Sequence, residues 1–233
     1  MNVFSLCKTR FLHKKTFLRG ACLLLLACAF FLFPSCSKKL DYFSYVSELR
    51  NNIFLAESDQ LSLHVYAVAK ESPYVADGIP REISKRTEIF LTAPSGDKEY
   101  AISFTVDGKQ QGGDMSYDNV KAEYYYFCTL DLSAFSEIDF TLSCGEETVT
   151  LNAKSVVNER TITPQTALSC VQNAETELFQ SLTDKYGFAG EIYMRLIYED
   201  CPYYYVGIID RSGNTTAFLL NGETGKILAK RQA

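Results

Sequence analysis

Between residues 87 and 153 the chain repeats one pattern, a short run of β-branched, aromatic and aliphatic residues followed by a turn. The runs are 87–92, 99–106, 121–130, 138–143 and 148–153. The breaks are Pro94-Ser95-Gly96-Asp97, Asp107-Gly108, Gly112-Gly113-Asp114 and Cys144-Gly145-Glu146-Glu147. Many short strands with regular turns predict an antiparallel β-sandwich. In 101–106 the alternation points Ile102, Phe104 and Val106 inward. Upstream, 61–70 reads as a strand, and the loop over 72–80 is punctuated by two prolines and Asp77-Gly78. Residues 42–56 fit two periods. Tyr42, Tyr45, Val46, Leu49 and Ile53 share a helix face, while Tyr45, Leu49, Ile53 and Leu55 suit a strand. The neighbouring turn, 57–60, favours a hairpin from Asn51 onward.

The period changes near 157–164. Thr163 can cap a helix with Pro164 in its first turn. Ala167, Leu168, Val171, Ala174, Leu178 and Leu182 then recur at three- and four-residue steps, so the helix is expected to run until Gly187. Strands at 191–198, 203–210 and 215–220 follow. The predicted fold is therefore mainly β with an α+β part. A sandwich covers 42–157, and a small helix-plus-antiparallel-sheet domain covers 163–233.

One helix, a meander and the turn Asn221-Gly222-Glu223-Thr224-Gly225-Lys226 together resemble a PepSY-type domain over about residues 164–228. Such domains carry an acidic-small-x-Thr-Gly-Lys turn; Asn221-Gly222 departs from the usual Asp-Ala. The resemblance implies a small extracytoplasmic module, often linked to protease inhibition or protein contact, with no catalytic residues to carry over.

The N-terminus carries a different kind of signal. Lys8, Arg10, Lys14, Lys15 and Arg19 precede an apolar run over 21–33, and Pro34-Ser35-Cys36 follows. The run has 13 residues, against the roughly 20 of a membrane-spanning helix, which suits a cleaved export signal. Ser35-Cys36 resembles a bacterial lipobox. It implies removal of 1–35, a lipid on Cys36, a tether over 36–41, and localisation at the outer face of the cytoplasmic membrane or in the outer membrane. Leu25-Leu26-Ala27-Cys28 fits the lipobox pattern more closely but leaves an apolar tail, so Cys28 is the alternative; an uncleaved anchor helix is a further one.

Residues 1–35 hold five of the 23 Lys and Arg and no acid. The remainder therefore has 18 bases against 28 acids, a net charge of −10. That balance argues against nucleic-acid partners.

Few residues suggest chemistry. Cys128, Cys144, Cys170 and Cys201 remain after Cys36, and an exported chain can form disulfides. Buried free thiols are expected first, with a Cys170–Cys201 bridge as the candidate pair. No CxxC motif occurs, and His64 is the one histidine beyond the leader, so neither a metal nor another cofactor is expected. His64 reads as a solvent-facing strand residue. Gly222–Lys226 lacks Walker spacing and reads as a turn. Asp77 and Asp114 lie in Gly-containing segments without EF-hand spacing.

Tyrosines cluster at 124–126 and 203–205, and alternation sends each triplet to both faces of its strand. Tyr124, Tyr126, Tyr203 and Tyr205 are the candidate binding aromatics for a protein or glycan partner. The expectation is a non-enzymatic, membrane-tethered binding module. Two rivals stand beside it. One is a glycan hydrolase using Glu146, Glu147, Glu199 or Asp200 in a cleft with a raised pKa. The other is an inhibitor of a secreted protease acting through the C-terminal domain.

Overall fold

A computed structural model of the chain describes residues 40–72 and 79–232. The leader with Cys28 and Cys36, the tether residues before Leu40, and the loop segment holding Asp77 lie outside the described residues. Among the described residues no helix is long and apolar enough to cross a membrane.

The ambiguous N-terminal stretch divides in two. Tyr42–Tyr45 forms a 3₁₀ turn, capped by the Asp41 carboxylate, which accepts from the Phe43 amide at 3.0 Å. Strand β1 (Val46–Glu57) then makes the expected hairpin with β2 (Ser62–Glu71). Both periods fitted because β1 is covered on both faces. Adjacent Ile53 and Phe54 are 3% and 0% exposed, and they belong to two different apolar cores.

The first core lies between two layers built from β3 (Ile83–Thr92), β4 (Ala101–Val106), β5 (Lys109–Asp114), β6 (Ser116–Asp118), β7 (Glu123–Cys128), β8 (Glu137–Cys144) and β9 (Glu147–Ser155). One layer has the order β1-β2-β3-β7-β6; the other pairs β5-β4-β8-β9. Both edges are joined. Strand β9 returns to β1 through Phe54↔Ser155 and Leu55↔Lys154. Strand β5 continues through Met115, whose amide donates to Tyr100 O at 2.8 Å, directly into β6. The two layers enclose Phe54, Leu63, Val65, Ile89, Phe104 and Phe140; they are hydrogen-bonded to each other through β9 and β1, and joined by chain continuity at β5 and β6, which pair only with β4 and β7 respectively. Ile102, Phe104 and Val106 point inward as the alternation predicts.

One predicted turn is corrected. Gly112-Gly113-Asp114 lies within β5, opposite Ser103, Ile102 and Ala101. Gly112 has φ +148°, and a Cβ there would collide with the Ile102 carbonyl oxygen. The glycine permits a close backbone approach, which the sequence pattern mimics with turn-like residues. The real reversal is Asp107-Gly108, with φ of 49° and 73°, a two-residue hairpin turn. Gly112→Ala is expected to lower stability by about 2 kcal/mol. An unchanged urea midpoint would show that the approach is not close.

After β9 the chain stays on the sheet. The Val156 amide donates to Ile53 O at 2.9 Å and the Ile162 amide to Gly222 O at 2.8 Å. Helix α1 (Pro164–Ala174) starts as expected, with the Thr163 hydroxyl accepting from the Thr166 amide at 3.2 Å. It breaks at Glu175 before a short α2 (Thr176–Ser181). Helix therefore ends well before Gly187, another correction. The Thr183 hydroxyl donates to Phe179 O at 2.7 Å, and a small hairpin of β10 (Thr183–Asp184) and β11 (Gly187–Phe188) takes over.

The meander β12 (Glu191–Tyr198), β13 (Pro202–Ile209), β14 (Thr215–Asn221) and β15 (Ile227–Gln232) closes the fold. Its helix-facing side builds the second core from Val171, Phe179, Ile192, Met194, Tyr204 and Phe218. The β14–β15 turn is organised by Asn221. Asn221 Oδ1 accepts from the amides of Glu223 (3.1 Å) and Thr224 (2.8 Å) and from the Thr224 hydroxyl (2.9 Å), which an amide oxygen does as well as a carboxylate. Gly222 is required because a Cβ would stand 2.5 Å from Pro202 O.

Strand β12 pairs with β1 in parallel, from Val46↔Ile192 to Arg50↔Arg195. All strands except β10 and β11 thus share one sheet among the described residues. Strand β1 changes neighbour where its register slips, between Arg50 and Asn52: β12 lies beside it before the slip and β9 after it. Asn52, 2% exposed, holds this fork. Its Oδ1 accepts from the Ile53 amide (2.8 Å) and the Ser155 hydroxyl (2.7 Å). Its Nδ2 donates to the carbonyls of Ser133 (3.3 Å) and Phe135 (3.2 Å).

Candidate functional site

The same irregularity in β1 organises the most unusual side chains on the surface. Bulges re-aim side chains and are common beside functional sites. Arg50 stands opposite Val68 on β2 and Arg195 on β12. Its guanidinium carbon lies 4.1 Å from the centre of the Tyr66 ring. Nε is buried without a hydrogen-bond acceptor, and Arg50 makes no ion pair among the described residues. An unmet buried donor costs about 1–3 kcal/mol, which stacking on an aromatic face offsets only in part. Burial pushes the Arg50 pKa down, and Tyr66, Glu88 and Glu48 oppose it; the group stays protonated at any physiological pH. Burial likewise pushes the Tyr66 phenol up.

Around this stack the charges are tied. Glu48 joins Lys70 at 3.0 Å and Arg195 at 2.7 Å. Glu88 pairs with Arg86, and Glu123 with Lys121 at 3.4 Å. Burial acts to raise the Glu48 carboxyl, but the hydrogen bonds and charges of Arg195 and Lys70 outweigh it and hold the pKa below the usual range. A depressed folded pKa gives stability that is full above the unfolded value of about 4.3 and is lost as pH falls through the folded value. Stability is therefore expected to drop below pH ~4, and Glu48→Gln to flatten part of that acid limb. Equal acid limbs in the two proteins, measured by denaturation across pH, would contradict this.

The side of β2–β3–β7 away from the first core carries an aromatic run. Tyr66 meets Phe90 at 5.6 Å between ring centres, Phe90 meets Phe127 at 6.0 Å, and Phe127 meets Tyr125 at 5.2 Å. Phe127 is 52% exposed. Lys121 sits 5.4 Å above Phe90. Arg50, Tyr66, Glu88 and Phe90 line a cleft of about 290 Å³, rimmed by His64, Thr92, Lys121 and Glu123. His64 is exposed, as the strand pattern predicts. A larger cleft of about 660 Å³ lies at one end of the sandwich, between Leu61, Tyr100, Leu142 and Val149, with Lys98 and Glu147 beside it.

The tyrosines predicted as binding residues separate. Tyr124 is 2% exposed, and its hydroxyl donates to the carbonyls of Lys98 (2.6 Å) and Ser95 (3.1 Å). Tyr126 packs against the first core. Tyr124 is corrected to a structural residue, because the register Leu91↔Tyr124 places it at a core position, while Tyr126, opposite Ile89, is half-buried against the same core. Their neighbours Tyr125 and Phe127 face outward instead. In the second triplet Tyr204 is the core residue, with its hydroxyl donating to Ile162 O at 2.8 Å. Tyr203 and Tyr205 take the opposite side. Tyr205 lies over Tyr193 with ring centres 5.7 Å apart, and burial, reinforced by the Tyr205 hydroxyl, pushes Tyr193 up to about 12.

The remaining candidates are quickly placed. All four described cysteines are free thiols. No Cys170–Cys201 bridge forms: the Cys170 sulfur fills the space 2.7 Å from where a Gly225 Cβ would be, while Cys201 is engaged beside Tyr203 in the β12–β13 turn. Asp200 accepts from the Tyr203 hydroxyl at 2.8 Å, and that bond holds its carboxyl below the usual range, opposite to what an acid catalyst needs. No group of three His, Cys, Asp or Glu could hold a metal among the described residues.

Sequence reasoning missed Arg50 and Asn52. The signal was present as Arg50-Asn51-Asn52, three polar residues interrupting an apolar strand between Leu49 and Ile53. Compared with known proteins, the chain matches no family model, no curated protein and no solved structure.

Proposed function

We propose that this chain is an exported lipoprotein, lipidated on Cys36 and held at the outer face of a bacterial membrane, where it works as a binding module rather than an enzyme. Its partner is a protein or a glycan of the cell surface. The observation that carries this reading is the outward side of β2–β3–β7, where an uncompensated guanidinium adjoins a run of half-exposed aromatic rings. Aromatic residues and arginine dominate binding hot spots, because they give large contact area at low entropic cost. The basic, apolar leader ending in Ser35-Cys36 supports the address. The helix-plus-meander arrangement supports a PepSY-type extracytoplasmic module in the C-terminal part.

A photo-crosslinking residue at Phe127 in producing cells is expected to give a discrete adduct from the envelope. The same group at Leu228, on β15, serves as the comparison. Absence of any adduct at Phe127, or an identical smear at both positions, defeats the binding reading. Mass spectrometry of the mature N-terminus is expected to find an acylated Cys36, and Cys36→Ala to abolish the acyl mass. An intact Met1 without lipid defeats the address.

A further inference from the structure

We propose that the Arg50–Tyr66 cleft binds the free carboxylate of a peptide C-terminus, with the Arg50 guanidinium as its partner and Phe90 as the shelf for the terminal side chain. The inference rests on the binding reading above and names the ligand chemistry of the same surface.

Charge comes first. Arg50, Lys70, Arg86, Lys121 and Arg195 surround the stack, against three carboxylates, Glu48, Glu88 and Glu123. Asp118 lies one strand farther out, and its oxygen is taken by the amides of Val120 (2.8 Å) and Lys121 (3.1 Å). Glu88 and Glu123 each hold one cation and Glu48 holds two, while Arg50 makes no ion pair among the described residues. The cleft lining itself carries two cations, Arg50 and Lys121, against two carboxylates, Glu88 and Glu123, and of the cations only Lys121 is in an ion pair among the described residues.

Geometry selects a carboxylate among anions. A planar guanidinium matches the fork of a carboxylate and gains geometric specificity from two parallel hydrogen bonds. Arg50 donates to no group among the described residues; Nε is buried, so the two terminal nitrogens are the pair that would meet the carboxylate, and Nε–H reports on them through the shared guanidinium. A phosphate with close to two negative charges would meet stronger repulsion from Glu88 and Glu123, which line or rim the same cleft. A singly charged carboxylate meets less, and the same two acids can accept a backbone N–H from the peptide. Size limits the occupant. About 290 Å³ lies at the bottom of the roughly 300–1,000 Å³ range of ligand pockets, enough for a terminal residue but not a folded epitope. Phe90 and the adjoining Phe127 and Tyr125 continue the surface beyond the cleft, where the preceding residues of an extended peptide would lie.

The test is an NMR titration of the full ¹⁵N-labelled chain in detergent micelles, following the Arg50 Nε–H resonance, assigned by its loss in Arg50→Gln. Three probes are used: N-acetyl-glycyl-phenylalanine, its C-terminal amide, and inorganic phosphate. The free acid is expected to shift that resonance saturably and to bind at least about 10-fold more tightly than the amide or phosphate, as a charge-assisted bidentate pair implies. Arg50→Lys is expected to lose most of that preference while keeping the charge. Equal affinity for acid and amide, tighter binding of phosphate, or no saturable shift with any probe overturns the inference. None of these results touches the Phe127 crosslink, whose failure alone would remove the broader binding reading.

Discussion

Replacing Phe54 with alanine is expected to lower the unfolding free energy by about 3–5 kcal/mol, the range for deleting a fully buried aromatic ring. Phe54 is 0% exposed and faces the first core, while its neighbour Ile53, 3% exposed, belongs to the second. A cavity on one side of β1 therefore weakens the strand on which the other core also rests. Urea unfolding followed by tyrosine fluorescence and by far-ultraviolet circular dichroism is expected to show one shifted transition with coincident midpoints. A shift below about 1 kcal/mol, or two separated transitions with only one displaced, would show that β1 does not couple the two cores.

Asn52→Leu is expected to cost about 3 kcal/mol, although the volumes nearly match. The side chain makes four hydrogen bonds in a site with almost no solvent. Leucine strands the carbonyls of Ser133 and Phe135 and the Ile53 amide together, and leaves the Ser155 hydroxyl only its longer contact with Val157 O (3.4 Å); unmet buried groups cost more than the bonds themselves contribute. Asn52→Asp is a sharper test of orientation. It keeps the acceptor for Ile53 and Ser155 but presents an oxygen to two carbonyl oxygens, so it is expected to be no better than leucine at neutral pH and to recover partly in acid. An Asn52→Leu protein with unchanged stability would mean that the fork is held by its backbone pairing alone.

Much of the fold was legible in local pattern. The cap at Thr163, the inward set Ile102, Phe104 and Val106, and the strands of the meander follow from periods and turn chemistry that act within a few residues. The errors share a cause. Gly112-Gly113 looks like a turn because glycine serves both reversals and close strand approach, and only the partner strand distinguishes them. The helical period runs on toward Gly187 because Leu178 and Leu182 keep it, whereas the break comes from Glu175 and from the hairpin that Thr183 begins.

The site was less legible for the same reason. Tyrosine triplets alternate whatever their surroundings, so sequence could not say that Tyr124 and Tyr126 face inward while Tyr125 and Phe127 face out. Arg50 meets Tyr66 only because β1 and β2 pair with a one-residue slip, and no short-range pattern encodes that register.

The parallel match of β1 with β12 bears on how the chain is made. Val46 waits for Ile192, so the first strand among the described residues completes its hydrogen bonding only after about 150 further residues have emerged. Until then its outer margin is an unsatisfied template, and contacts this distant in sequence form slowly. Nascent or truncated forms ending before Glu191 should therefore depend on holding factors or form mispaired aggregates, and premature stop variants near 160 should accumulate as insoluble material rather than as a soluble N-terminal half.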